Sequence, residues 1–153
     1  MSTFSPATVR NLTAGISLNP PTESSMATVH KLSELAGRIF LSVLFLISGL
    51  GKITAYAGTA AYMSSVGVPG ALLPVAIATE FLGALAIIIG WQTRISAFLL
   101  AGYSLLTALI FHANFADQIE MIMFVKNVSI AGGLLLLVAN GAGPLSLDRR
   151  IAK

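Results

Sequence analysis

Four apolar runs constrain this chain more than any other feature: Leu35 to Ile53, Leu72 to Ile89, Ile95 to Phe111 and Met121 to Val138. Each is near the lower end of the ~17 to 25 residues that a transmembrane helix needs. Hydrocarbon offers no water to peptide N–H and C=O groups, so runs of this length cross it as helices rather than open strands. The joints agree. Gly67-Val68-Pro69-Gly70 breaks the chain before the second run, Gly90-Trp91-Gln92-Thr93-Arg94 makes a tight turn after it, and Asn140-Gly141-Ala142-Gly143-Pro144 ends the fourth. The expectation is an all-α polytopic membrane protein, a four-transmembrane-helix bundle over residues 31–150. The first connection has room for a short interfacial helix around Thr59 to Val66, with Tyr56 and Tyr62 at headgroup level.

Composition excludes much else. The chain is 56% hydrophobic and 10% charged, whereas a soluble domain carries about 25% charged residues. Its 153 residues suffice for one compact domain. With no cysteine there is no disulfide framework, no cysteine zinc site, no iron–sulfur ligation and no dithiol relay within the chain. No HExxH, no Ser-His-Asp set and no paired histidine within a span occurs, so neither a hydrolase nor a haem or zinc protein is expected. The net charge of +3 comes from scattered Lys and Arg without a basic stripe, which argues against nucleic acid.

Residues 1–30 are rich in Ser, Thr, Pro and Asn, have no h-region, and read as a disordered polar tail rather than a secretory signal. Met26 would make a normal start a few residues ahead of the first span. The residues before it are therefore expected to be dispensable or an upstream start-codon artefact.

The bias of Lys and Arg sets an expected orientation. With a cytoplasmic amino terminus, Arg10, Lys31, Arg38, Arg94, Arg149, Arg150 and Lys153 lie inside or at the inner boundary, leaving Lys52 and Lys126 towards the outside. The expectation is N-in, C-in, with Arg38 as an inner-interface anchor.

Glu80 is the exception within these runs. An ionised carboxylate inside a span costs roughly 2.5 to 3.5 kcal/mol on insertion scales. Ser48 and Lys52 fall one turn apart at the outer end of the first run, His112 closes the third, and Lys126 and Asn127 lie near the start of the fourth. A bundle that packs the first, second and fourth helices together brings Lys52 and Lys126 within reach of Glu80, with Asn127 and His112 supplying hydrogen bonds. The plainer reading is that Lys52, Lys126 and Arg38 snorkel to headgroups and that Glu80 is a structural carboxyl. Ser48-Gly49-Leu50-Gly51-Lys52 lacks the first glycine and the Ser or Thr of a phosphate loop. Ala97 and Ala101, and Ser129 and Gly133, have the four-residue spacing of close helix packing.

Arg38 to Ser42, then Phe45 to Lys52, Met63 to Pro69, Glu80-Phe81-Leu82-Gly83, Phe111-His112, and Lys126-Asn127 leading into Gly132-Gly133, together resemble the DoxX family of small bacterial inner-membrane proteins. The resemblance runs from about Leu35 to Arg150 and leaves out the tail before Met26. It implies four helices in the cytoplasmic membrane and carries over Arg38, Lys52, Glu80, His112, Lys126 and Asn127 as positions fitting the family's pattern. The family takes its name from a membrane subunit associated with thiosulfate:quinone oxidoreductase. This implies a membrane component of a redox complex, with the lipid bilayer and membrane redox proteins as partners and a quinone as the cofactor to consider. A chain without cysteine is poorly suited to sulfur chemistry of its own. A quinone needs only a lipid-facing slot, donors to its carbonyl oxygens and a protonatable group. Two other readings compete: a small proton-coupled transporter centred on Glu80, and a scaffold without chemistry of its own.

Overall fold

The computed structural model describes residues 22–151. Among these the regular elements are all helical: α1 (Glu23–Thr54), α2 (Tyr56–Ser65), a 3-10 turn (Gly70–Leu72), α3 (Leu73–Ile89), α4 (Thr93–Phe111), α5 (Gln118–Asn140) and α6 (Leu147–Ile151). Four helical stretches, α1, α3 with its leading 3-10 turn, α4 and α5, are long and apolar enough to cross a membrane. The all-α, four-span architecture expected from the apolar runs is the one observed, and α2 is the short helix anticipated in the first connection.

The chain divides into two compact units, Met1–His30 and Lys31–Lys153. Of the first unit, residues 22–30 are described, and they correct one expectation. Helix α1 already runs from Glu23, within the stretch read as a disordered tail. The Thr22 carbonyl accepts the amides of Ser25 and Met26 at 2.9 and 3.1 Å, and the Ser25 hydroxyl donates to the same oxygen at 2.8 Å. A helix needs a start signal and tolerable propensities, whereas hydropathy marks only the part that lies in lipid. The apolar run therefore located the span and missed the polar turns before it. Residues 1–21, with most of the tail before Met26, lie outside the described residues.

In the second unit, small residues bring the helices together. At Gly49 α1 lies against α3, where a Cβ would meet those of Glu80 and Phe81 at an ordinary contact distance of 3.6 Å. Leu41 of α1 fits over Gly133 of α5, and Leu100 of α4 over Gly83 of α3. Helix α4 packs most extensively on α5 and also on α3. The contacts thus close a ring, α1 to α3 to α4 to α5 and back to α1. Ala97 and Ala101 are buried in the core with Phe45, Ala84, Ile87, Leu100 and Leu134, whereas Ser129 is exposed and donates to the Val125 carbonyl of its own helix. Large apolar side chains such as Phe40, Phe98 and Leu136 point outwards, as expected of a bundle whose solvent is lipid.

Candidate functional site: an ion pair on an apolar cavity

Glu80, seven residues into α3, is 3% exposed. Its carboxylate faces α1, where Ser48 and Lys52 stand one turn apart on the same side. The Lys52 ammonium donates to Oε1 at 2.9 Å, to Oε2 at 3.0 Å and to the Ser48 hydroxyl at 2.6 Å. Ser48 donates to Oε1 at 3.2 Å. From α4, the Tyr103 hydroxyl donates to the same oxygen at 2.8 Å. One carboxylate therefore ties three helices together. Charge-assisted hydrogen bonds of this kind are worth about twice neutral ones, and here they compensate for removing both charges from water.

Tyr103 was not among the residues expected at the site. Its signal was available, because a tyrosine near the middle of an apolar run is away from the interfaces where that residue usually sits, and its hydroxyl needs a buried partner there.

The cluster occupies one wall of a cavity of about 600 Å³. Leu44, Phe45 and Ile47 of α1, Val75 and Ala76 of α3, and Leu106 and Ile110 of α4 supply apolar walls, while Met63 and Val68 close it from the first connection. Tyr62 of α2 also lines it and holds the end of α4 through its ring, 5.7 Å from that of Phe111.

His112, Lys126 and Asn127 line the same cavity but do not bond Glu80. His112 Nδ1 lies 2.6 Å from Glu120 Oε2, joining the end of α4 to the first turn of α5. Asn127 donates to the Met123 carbonyl at 2.9 Å. Lys126 donates to the Met123 thioether at 2.9 Å. Because α5 starts at Gln118 rather than Met121, Lys126 is about 12 Å along it at 1.5 Å per residue. Of the cluster anticipated around Glu80, Lys52 and Ser48 pair with it, whereas the other three form the rest of the cavity wall.

Arg38 lies in the same helix as Lys52 but three to four turns earlier, and it is 1% exposed. Its Nη2 donates to the Leu145 carbonyl, while Nε and Nη1 have no hydrogen-bond partner. It thus sits beneath the segment after α5 instead of reaching outward as a snorkelling anchor does. That segment turns through Gly141 and Gly143, both at positive φ. It brings Asp148 onto the start of α4, where its carboxylate accepts the Gln92 and Thr93 amides at 2.7 and 2.9 Å. Burial pushes the Asp148 carboxyl up, but these bonds and the charge of Arg38 outweigh it and hold the group below the usual aspartate value. Among the described residues, no group of three or more His, Cys, Asp or Glu is arranged to hold a metal ion.

The fold and site define a small four-span membrane protein with an internal ion pair opening on an apolar cavity. Residues 33–113 match the DoxX family, and the chain belongs to that family. It is 48% identical over 128 residues to the inner membrane protein YqjF of Escherichia coli (strain K12), covering 84% of this chain and 98% of the relative. It is 42% identical over 123 residues to the inner membrane protein YphA of the same organism, covering 76% of this chain and 88% of the relative. No solved structure matches it significantly. With its four apolar spans, the chain is a multi-pass inner-membrane protein.

Proposed function

We propose that this protein is the membrane component of a redox assembly and that its cavity receives the head of a quinone. The observation that carries the reading is the cavity itself: about 600 Å³, within the ~300 to 1,000 Å³ of small-molecule sites, apolar over most of its wall and polar at the Glu80 cluster. The residues present fit such a guest. Asn127 and Lys126 have N–H donors left over for a carbonyl oxygen, and Glu80 is a protonatable group wired through Tyr103 and Lys52. A quinone, when bound, would supply two-electron, two-proton chemistry. Electrons would come from a partner protein, because the chain has no cysteine. The protein's own part is to seat the head, exclude water from it and present the hydrogen-bonded Glu80, Lys52 and Tyr103 groups beside it.

The test is mass spectrometry of the quinones and phospholipids retained after mild detergent purification, with wild type, Glu80→Gln and Tyr103→Phe compared. Near-stoichiometric quinone in wild type, lost in Glu80→Gln and reduced in Tyr103→Phe, is expected. Phospholipid alone in all three would overturn it. A pH-dependent solute flux in proteoliposomes, abolished by Glu80→Gln, would then replace it with proton-coupled transport. A partner retained by both variants without bound quinone would favour the scaffold reading.

The proposed orientation keeps both termini cytoplasmic, as the Lys and Arg bias expects. The absence of cysteine allows a direct check. A single cysteine at Ala116, between α4 and α5, should react with an impermeant maleimide added to intact cells, and one at Ala152 should not.

A further inference from the structure

Counting N–H donors separates the two lysines that share the cavity. An ammonium has three. Those of Lys52 are matched by Ser48 Oγ and the two Glu80 oxygens. Lys126 has one partner among the described residues, the Met123 thioether, and a thioether sulfur is a weak acceptor. Charge follows the same division. Glu80 offsets Lys52, whereas Lys126 forms no ion pair among the described residues. Of the lysine and carboxylate groups that line the cavity, Lys126 is the one without an ionic partner among the described residues.

The walls specify what accompanies that charge. Ile47, Val75 and Leu106 line the cavity, yet they are 66%, 62% and 56% exposed. They belong to three different spanning helices, so the cavity is continuous with the apolar exterior that lipid covers. A guest can enter sideways from the bilayer and leave its chain against that surface.

We infer that Lys126 is an anion station at the exposed edge of the cavity, holding the carboxylate or phosphate head of an amphiphile whose alkyl chain lies along the apolar wall. The station goes beyond the quinone reading. It concerns the charge of a guest rather than its redox state, and it rests on Lys126, which the quinone reading uses only as a donor to a neutral carbonyl.

The experiment titrates the full chain, in non-ionic detergent micelles, with oleate, with neutral oleyl alcohol and with inorganic phosphate, each against wild type, Lys126→Gln and Lys126→Arg. Oleate should bind wild type at least about tenfold more tightly than oleyl alcohol, the difference expected of one charge-assisted contact. Lys126→Gln should remove that preference and leave oleyl alcohol unchanged, and Lys126→Arg should retain it. Equal binding of oleate and alcohol, or an oleate affinity unaffected by Lys126→Gln, would show a lysine that merely snorkels to headgroups and would overturn the inference. So would inorganic phosphate binding as tightly as oleate, which would mark a free-anion site with no use for the chain. If Lys126→Gln does not fold, the comparison of oleate with oleyl alcohol on wild type decides alone. Absence of quinone from the purified protein would end the redox reading and leave this titration unaffected, so the two failures are distinguishable.

Discussion

Glu80 and Arg38 are both almost wholly buried, at 3% and 1% exposure, yet their surroundings differ. Glu80 has a cation and two hydroxyls on its oxygens and stands on a cavity. Arg38 has a single backbone carbonyl on its guanidinium, with Glu34 and Asp148 contributing charge from farther away. Gly90, at φ 71°, has no room for a Cβ because Arg38 and Ser146 occupy that place. The difference separates two uses of a buried charge. Around Arg38 the chain fills the space with its own backbone, which makes a lock on the carboxyl-terminal segment. Around Glu80 it satisfies the charge completely and leaves volume beside it, which makes a place for a guest.

Removing one member of the buried pair should have the largest effect. Glu80→Ala leaves Lys52 facing a cavity without its anion and should cost about 3 to 5 kcal/mol, the usual loss when one partner of a buried pair goes. The check is thermal or denaturant unfolding in detergent. Glu80→Leu combined with Lys52→Met should recover most of that loss, because the uncompensated charge leaves as well. A double variant as unstable as Glu80→Ala would mean that the pair is not what holds α1 to α3.

Arg38→Met should cost less, about 1 to 2 kcal/mol. It forfeits one charge-assisted hydrogen bond but also removes two buried donors that have no partner. Its effect should fall on protease resistance of the segment after Asn140, while retention of any cavity ligand is unchanged. If Arg38→Met instead empties the cavity, the two ends are coupled and the division drawn above fails. Tyr103→Phe should cost about 1 kcal/mol, the net value of one hydrogen bond, and sharpen the contrast, since it opens a donor vacancy at the cavity wall without changing charge. A loss as large as that of Glu80→Ala would show that the tyrosine carries more of the cluster than the lysine does.

Much of this is legible in the sequence alone. The four spans follow from run length, and Glu80, Lys52 and Ser48 follow from polarity at one depth, because burying a carboxylate in a span requires a nearby partner. Lys126 and His112 line the cavity with Glu80 but bond Met123 and Glu120 instead of it. Depth is readable from a sequence, whereas the angular position of a side chain around its helix depends on which faces pack. Tyr103 is legible only if its hydroxyl is counted as a polar group that needs a partner inside the span. Arg38 reads as a residue that reaches outward, because nothing in the Gly141-to-Ser146 stretch announces that it folds back over the bundle. That return path is set by two glycines at positive φ and by Asp148 meeting the start of α4, a long-range contact without local periodicity.

The smallest effect expected concerns that last contact. Gln92 precedes α4 with no capping side chain of its own, so Asp148 supplies the cap from 55 residues away, through Thr93. Its carboxyl is held below the ordinary 3.8. A group depressed in the folded state adds stability that is complete above its unfolded value and is lost as pH falls through the lower folded value. The cap should therefore be intact at neutral pH and weaken only as the pH falls below the ordinary aspartate value. The Gln92 and Thr93 amide resonances should titrate together with a midpoint below 3.8 and stay flat in Asp148→Asn, a change that keeps a capping oxygen and should cost no more than about 1 kcal/mol at neutral pH. A midpoint at or above the ordinary value would mean that the amides and Arg38 do not stabilise the carboxylate, and the carboxyl-terminal segment would then lack the anchor that distinguishes its end of the bundle from the cavity end.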